Sequence, residues 1–147
     1  MDELCSKPKP AQVPREEVKQ TGFEKQFSVP VNGVPTEIVY HRFGRKRLLV
    51  ITQLGKIAGT YNVSFDISNN PTMLKPVHSP EFHVSVPITI HCCLGANTAE
   101  IDCAIQFLVN NTKLWESPTD FVICLGLKDI DGDSLRALAK VLNEIVL

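Results

Sequence analysis

Val50-Ile51-Thr52-Gln53-Leu54-Gly55-Lys56-Ile57-Ala58-Gly59-Thr60 decides how this chain is read. An apolar strand breaks at Gly55-Lys56 and restarts as an alternating one. The Gly-Lys pair resembles the end of a phosphate-binding loop. That loop needs a glycine five positions earlier and a Ser or Thr after the lysine, where this chain has Val50 and Ile57. The pair is therefore a tight inter-strand turn, with Gly55 supplying an unusual backbone angle and Lys56 projecting to solvent.

Working outward, Leu48-Leu49-Val50-Ile51 is apolar on both faces, as is Phe121-Val122-Ile123-Cys124-Leu125, so both segments are expected to be central strands covered on two sides. Two other strands alternate. Ile57, Tyr61, Val63, Phe65 and Ile67 share one face in the first. Phe82, Val84, Val86, Ile88, Ile90 and Cys92 do so in the second, with His83, Pro87 and His91 opposite. Pro87 lacks an N–H, which sends that strand to an edge or a bulge. Upstream, Asn32-Gly33 between two apolar runs reads as a hairpin turn, and Pro30 and Pro35 beside it suit an edge.

A 3.6-residue period predicts two helices. Asn97 to Glu100 caps the first, whose inner stripe is Ile101, Ala104, Ile105 and Leu108. The second buries Leu135, Leu138, Ala139, Leu142, Ile145 and Val146 and exposes Arg136, Lys140, Asn143 and Glu144. Phe107 and Val109 widen the apolar face of the first helix. The expected fold is α+β, an about six-stranded, mostly antiparallel sheet with two helices. Two helices cover only one face of such a sheet. The remaining apolar surface, a sheet face or the helix surface carrying Ile105, Phe107 and Val109, is expected to serve dimerisation or helix packing, unless the sheet curls over its own core.

The chain has 147 residues, 44% hydrophobic and 21% charged, which suits one packed domain. Residues 1–22, with Pro8, Pro10 and Pro14 among polar neighbours, read as a disordered tail, leaving 23–147 as the domain. A formal charge of −1 gives no global pull toward nucleic acid or anionic lipid. No apolar run is long enough to span a bilayer, and Met1-Asp2-Glu3-Leu4-Cys5 lacks the basic-then-apolar order expected of a secretory leader. The five cysteines are odd in number and lack Cys-x-x-Cys spacing. Cys92, Cys103 and Cys124 are expected to pack as small hydrophobes. The expected location is the cytoplasm, with the nucleus as a second compartment.

The motifs point away from catalysis. Asp129-Ile130-Asp131-Gly132-Asp133 has its glycine at the fourth place of a calcium loop instead of the sixth, and Lys140 where the bidentate Glu belongs. It reads as the acidic start of a helix. His91-Cys92-Cys93 splits across the two faces of a strand and has no second ligand pair, so neither a metal nor a cofactor is expected. No Ser, His and acid grouping marks a nucleophile. The basic cluster His41 to Arg47 reads as a charged hairpin tip, and Arg45, Lys46 and Arg47 are candidate contacts to an acidic protein surface. Asp66 to Pro80 is a long, Pro- and Asn-broken loop of the kind that carries function.

With Gly33-Val34-Pro35-Thr36-Glu37-Ile38-Val39 before it and Leu125-Gly126-Leu127-Lys128-Asp129 running into the last helix, the opening stretch resembles the proteasome assembly chaperone 3 family, over roughly Val29 to Leu147. The resemblance implies a non-enzymatic α+β chaperone. It implies pairing with proteasome assembly chaperone 4, or with itself, and binding of α-type subunits while the α-ring of the 20S particle forms, followed by departure. The loop carrying Lys75 and Pro76 is then an expected α-subunit contact. The competing expectation is a roadblock or profilin-like adaptor domain scaffolding a signalling or trafficking complex.

Overall fold

The computed structural model describes residues 22–66 and 85–147. Residues 1–21 of the expected tail, Lys75 and Pro76 of the expected loop, and Ile67, Phe82, His83 and Val84 lie outside the described residues.

Six strands, β1 (Lys25–Val31), β2 (Val34–Phe43), β3 (Lys46–Gln53), β4 (Gly59–Phe65), β5 (Ile88–Gly95) and β6 (Phe121–Gly126), form one sheet in the order β1-β2-β3-β6-β4-β5. Helix α1 (Ala99–Asn111) and helix α2 (Gly132–Val141) follow β5 and β6. The fold is the expected α+β one. All pairings are antiparallel except β3 with β6, which run parallel at the centre of the sheet. Asn32 (φ 51°) and Gly33 (φ 80°) turn β1 into β2, the left-handed pair that matches the twist of a two-residue hairpin. Leu54 (φ 63°) and Gly55 (φ 69°) do the same after β3, closing a bridge between Gln53 and Lys56.

The core lies between the helices and one sheet face. Ile38, Leu49, Ile51, Tyr61, Val63, Phe121, Ile123 and Leu125 supply the sheet side, and Ile105, Leu108, Val109, Leu138 and Leu142 supply the helical side. Register explains the selection, because Ile38 pairs with Ile51, Leu49 with Ile123 and Tyr61 with Ile123, so alternate residues of adjacent strands share the covered face. Ile57 departs from the expected stripe. It precedes β4 and is 53% exposed, because residues 56–58 cross the end of β6, held by Ala58 N–H donating to the Leu125 carbonyl at 2.7 Å. Ile145 likewise faces outward at the end of the last helix. There the chain widens into a turn, Leu142–Val146, closed by Leu147 N–H on the Leu142 carbonyl. Pro87 sits just before β5, which is an edge strand as its missing N–H requires.

Both helices begin on a side-chain cap. Thr98 Oγ1 accepts from Ile101 N–H at 3.2 Å, and Asp131 Oδ1 accepts from Ser134 N–H at 2.8 Å. The second bond, to Ser134, lowers the Asp131 carboxyl below its usual range. A carboxylate whose folded pKa is depressed adds stability above its unfolded pKa, near 4, and loses it as pH falls through the folded value. Asp131→Asn keeps an oxygen acceptor without a titrating proton. The variant is therefore expected to lose less of its thermal midpoint than wild type between pH 5 and pH 2. Equal acid sensitivity in the two proteins would remove Asp131 as a contributor.

Candidate protein-binding surfaces

The sheet face turned away from the helices has no layer over it among the described residues. Val39, Val50, Cys124 and Thr60 lie in one row across β2, β3, β6 and β4, and His41, Leu48, Val122 and Asn62 lie in the next. All eight are half-buried, since neighbours on a twisted sheet shade one another, but the five in the middle, Val39, Leu48, Val50, Val122 and Cys124, are apolar or thiol. Both central strands thus have the two apolar faces expected of them, with only one face covered. A bare stripe of Val, Leu and Cys across β2, β3 and β6 is the kind of surface a second chain or sheet covers.

One end of the same sheet adds exposed apolar side chains. Leu54 at the β3 turn is 69% exposed, Ile57 53%, and Leu94 on β5 70%. Leu94 pairs with Thr60 and Gly95 with Gly59, so the end of β5 lies beside the start of β4. A depression of about 450 Å³ lined by Val29, Pro30, Pro35 and Leu54 opens at the far ends of β1 and β2.

The basic tip divides. Arg45 and Lys46 are exposed beside the Gly44 turn, Lys46 reaching Asn62 Oδ1 at 3.5 Å. Arg47 is not part of an exposed tip, because it is 3% exposed and lies on the helix side of β3, in phase with Leu49 and Ile51. One of its terminal nitrogens donates to the carbonyls of Leu114 at 3.2 Å and Thr119 at 2.7 Å. The guanidinium sits 5.3 Å from the Phe121 ring centre and 6.0 Å from that of Phe65. Burial pulls its pKa below the ordinary arginine value, with Tyr40 pulling the other way. Alternation along β3 carried the signal, since every second residue from Arg47 is a core position.

The helix residues divide in the same way. Ile105 and Val109 are fully buried against the sheet and are spent on the chain's own core. Phe107 alone of the three reaches the surface, half-buried between α1 and α2 beside Ala139 and Arg136 on one side and Leu135 on the other. Cys92 and Cys124 are partly buried, whereas Cys103 is exposed and does not pack as a hydrophobe. His91 and Cys93 are exposed. The pairing shifts between Thr60 and Tyr61, which leaves Cys93 as the extra residue of a bulge. Among the described residues no three His, Cys, Asp or Glu side chains are grouped to hold a metal, and no helix is long and apolar enough to cross a membrane.

The chain is similar in fold to a solved structure of a chaperone complex for yeast 20S proteasome assembly, with 20% identity, 80% of this chain and 92% of that chain covered, and a TM-score of 0.55. No curated protein sequence matches it. The family model described as proteasome assembly chaperone 3 matches residues 49–145, which run from within β3 through its glycine turn, β4, β5, both helices and β6. Two thirds of the chain thus match a family of chaperones and not of enzymes. The chain belongs to the proteasome assembly chaperone 3 family, and its role is that of a chaperone in proteasome assembly.

Proposed function

We propose that the chain works as one half of a pair. In this reading its bare sheet face packs against proteasome assembly chaperone 4, and the pair holds α-type subunits while the α-ring of the 20S particle is built, then leaves. The observation that carries the pairing is the Val39, Leu48, Val50, Val122 and Cys124 stripe, apolar and uncovered on a chain whose two helices are both committed to the opposite face. Sheet-on-sheet contact suits it, because two twisted faces interdigitate alternate side chains without either partner changing its backbone. The chain's own net charge of −1 supports a protein partner over nucleic acid. The proposed setting is the cytoplasm and nucleus.

Affinity capture of the tagged protein from its own cells in mild salt, with mass spectrometry of the co-purifying chains, tests this. A second small chaperone with α-type subunits and few β-type subunits is the expected result. Recovery of the tagged chain as a homodimer with α-type subunits would replace the heteromeric pair by self-pairing. A trafficking or signalling complex without proteasome subunits would overturn the reading in favour of an adaptor domain.

A further inference from the structure

Glu37 stands on the bare side of the sheet, because Thr36 and Ile38 on either side of it are buried toward the helices. It is exposed and makes no hydrogen bond or ion pair among the described residues. Its neighbours on that face are Ser28 and Thr52 across the ladder and Pro35 and Val39 along the strand, none of them charged. Only one other strand residue on the face carries a full charge at neutral pH. This is Lys46, paired with Phe43 at the opposite end of β2 and β3, about 20 Å away at the rise of a strand, where it reaches toward Asn62. Two other cations near this end of the sheet do not reach Glu37. Lys56 bridges Gln53, whose side chain is buried on the helix side, and Lys128 follows the end of β6, two strands from β2.

Glu37 is also the single charged residue lining the depression of about 450 Å³ at this end of the sheet. Pro30 and Pro35, opposite each other across the β1–β2 hairpin, give it a stiff apolar wall, and the exposed Leu54 adds to it. An apolar trough with one anion beside it matches a long side chain that has an apolar stem and a cationic head. The depression is continuous with the bare stripe, since Glu37 and Thr52 form the row next to Val39 and Val50. A chain packed along the stripe to this end covers it. Covering a lone carboxylate with an apolar surface is strongly unfavourable, whereas a partner that supplies a cation there satisfies it. The carboxylate thereby rejects partners that lack the cation.

We infer that this depression takes a Lys or Arg side chain of the partner that pairs through the stripe, its stem against Pro30, Pro35 and Leu54 and its cation on Glu37. The inference rests on the pairing reading above and adds to it the charge that selects the partner. The test is the sign of the effect when the charge is removed. Pair formation by the full chain, with itself or with added proteasome assembly chaperone 4, is measured by sedimentation for wild type, Glu37→Gln and Glu37→Leu at low and high salt. Both variants are expected to pair at least ten-fold more weakly than wild type at low salt, with the difference shrinking at high salt. If no cation meets Glu37, a leucine on an apolar face leaves pairing unchanged or tightens it, and either result for Glu37→Leu overturns the inference. Thermal midpoints equal to wild type, as an exposed position predicts, would show that the weakening is not a loss of fold. Pairing lost in Val50→Asp with Val122→Asp but unchanged in Glu37→Leu would keep the stripe and overturn the cation subsite. Pairing that survives the double substitution yet weakens in Glu37→Leu would keep the subsite and overturn the stripe. A wild-type chain that pairs with neither partner would overturn both.

Discussion

Gly126→Ala is expected to destabilise the protein by more than about 3 kcal/mol, a large share of the roughly 5–15 kcal/mol that holds an ordinary domain together. An added Cβ there would lie closer than 3.0 Å to the Lys56 carbonyl oxygen, 2.7 Å from its carbonyl carbon and 3.2 Å from Ile57 Cα. Every atom it meets is backbone, so no rotamer change relieves the overlap. That backbone is also held on both sides, by the bridge from Lys56 to Gln53 and by the bond from Ala58 to Leu125. Relief requires residues 56–58 to leave the end of β6, which breaks the entry into β4. Urea unfolding followed by circular dichroism is the measurement. An unfolding free energy within about 1 kcal/mol of wild type would show that the crossing segment is free to shift.

The double substitution Val50→Asp with Val122→Asp is expected to break the proposed pair while leaving the fold. The two side chains lie in adjacent rows of the bare face, Val50 beside Cys124 and Val122 beside Leu48, and neither enters the core under the helices. Burying two carboxylates against an apolar partner without counter-charges should weaken association at least about 100-fold, roughly 2.8 kcal/mol. Sedimentation at micromolar concentration is expected to show wild type paired, with itself or with added proteasome assembly chaperone 4, and the variant monomeric. Unchanged helical circular dichroism would confirm that the monomer is folded. A variant that still pairs would move the interface to another surface.

Much of the strand pattern was legible because period-two alternation and turn chemistry are local. Asn32-Gly33 and Gly55 declared their turns, and the two doubly apolar segments declared the sheet centre. Asn97 to Glu100 and the acidic cluster Asp129 to Asp133 marked the helix starts, where the caps are Thr98 and Asp131. Two of the misses have non-local causes and one, Arg47, a local one. Ile57 has the spacing of a core residue, but its segment must first cross β6, and nothing near it in sequence shows that. Val109 widens the apolar face of α1 and is expected to need an outside cover, yet it is fully buried in the chain's own core. Arg47 was grouped with Arg45 and Lys46 by charge, although its phase with Leu49 and Ile51 outweighs composition. For the candidate sites, the sequence led to the bare sheet face through an argument from layers. It held no sign of the depression at Glu37, which is assembled from β1, β2 and the end of β3 with its turn.

The parallel seating of β6 between β3 and β4 has a consequence for how the molecule is made. A ribosome delivers β1, β2 and β3 first, as a meander whose last strand is paired on one edge only, and β4 and β5 next, as an antiparallel pair with nothing to join. The two halves meet only through a strand that is synthesised near the end. Closing that distance carries the loop entropy of a long intervening segment and places the chain among slow, high-contact-order folders. Until then, two open edges and the future core are presented to solvent, the condition in which nascent chains aggregate. A protein whose work is to guide the assembly of others therefore passes, during its own synthesis, through a stage that itself calls for protection.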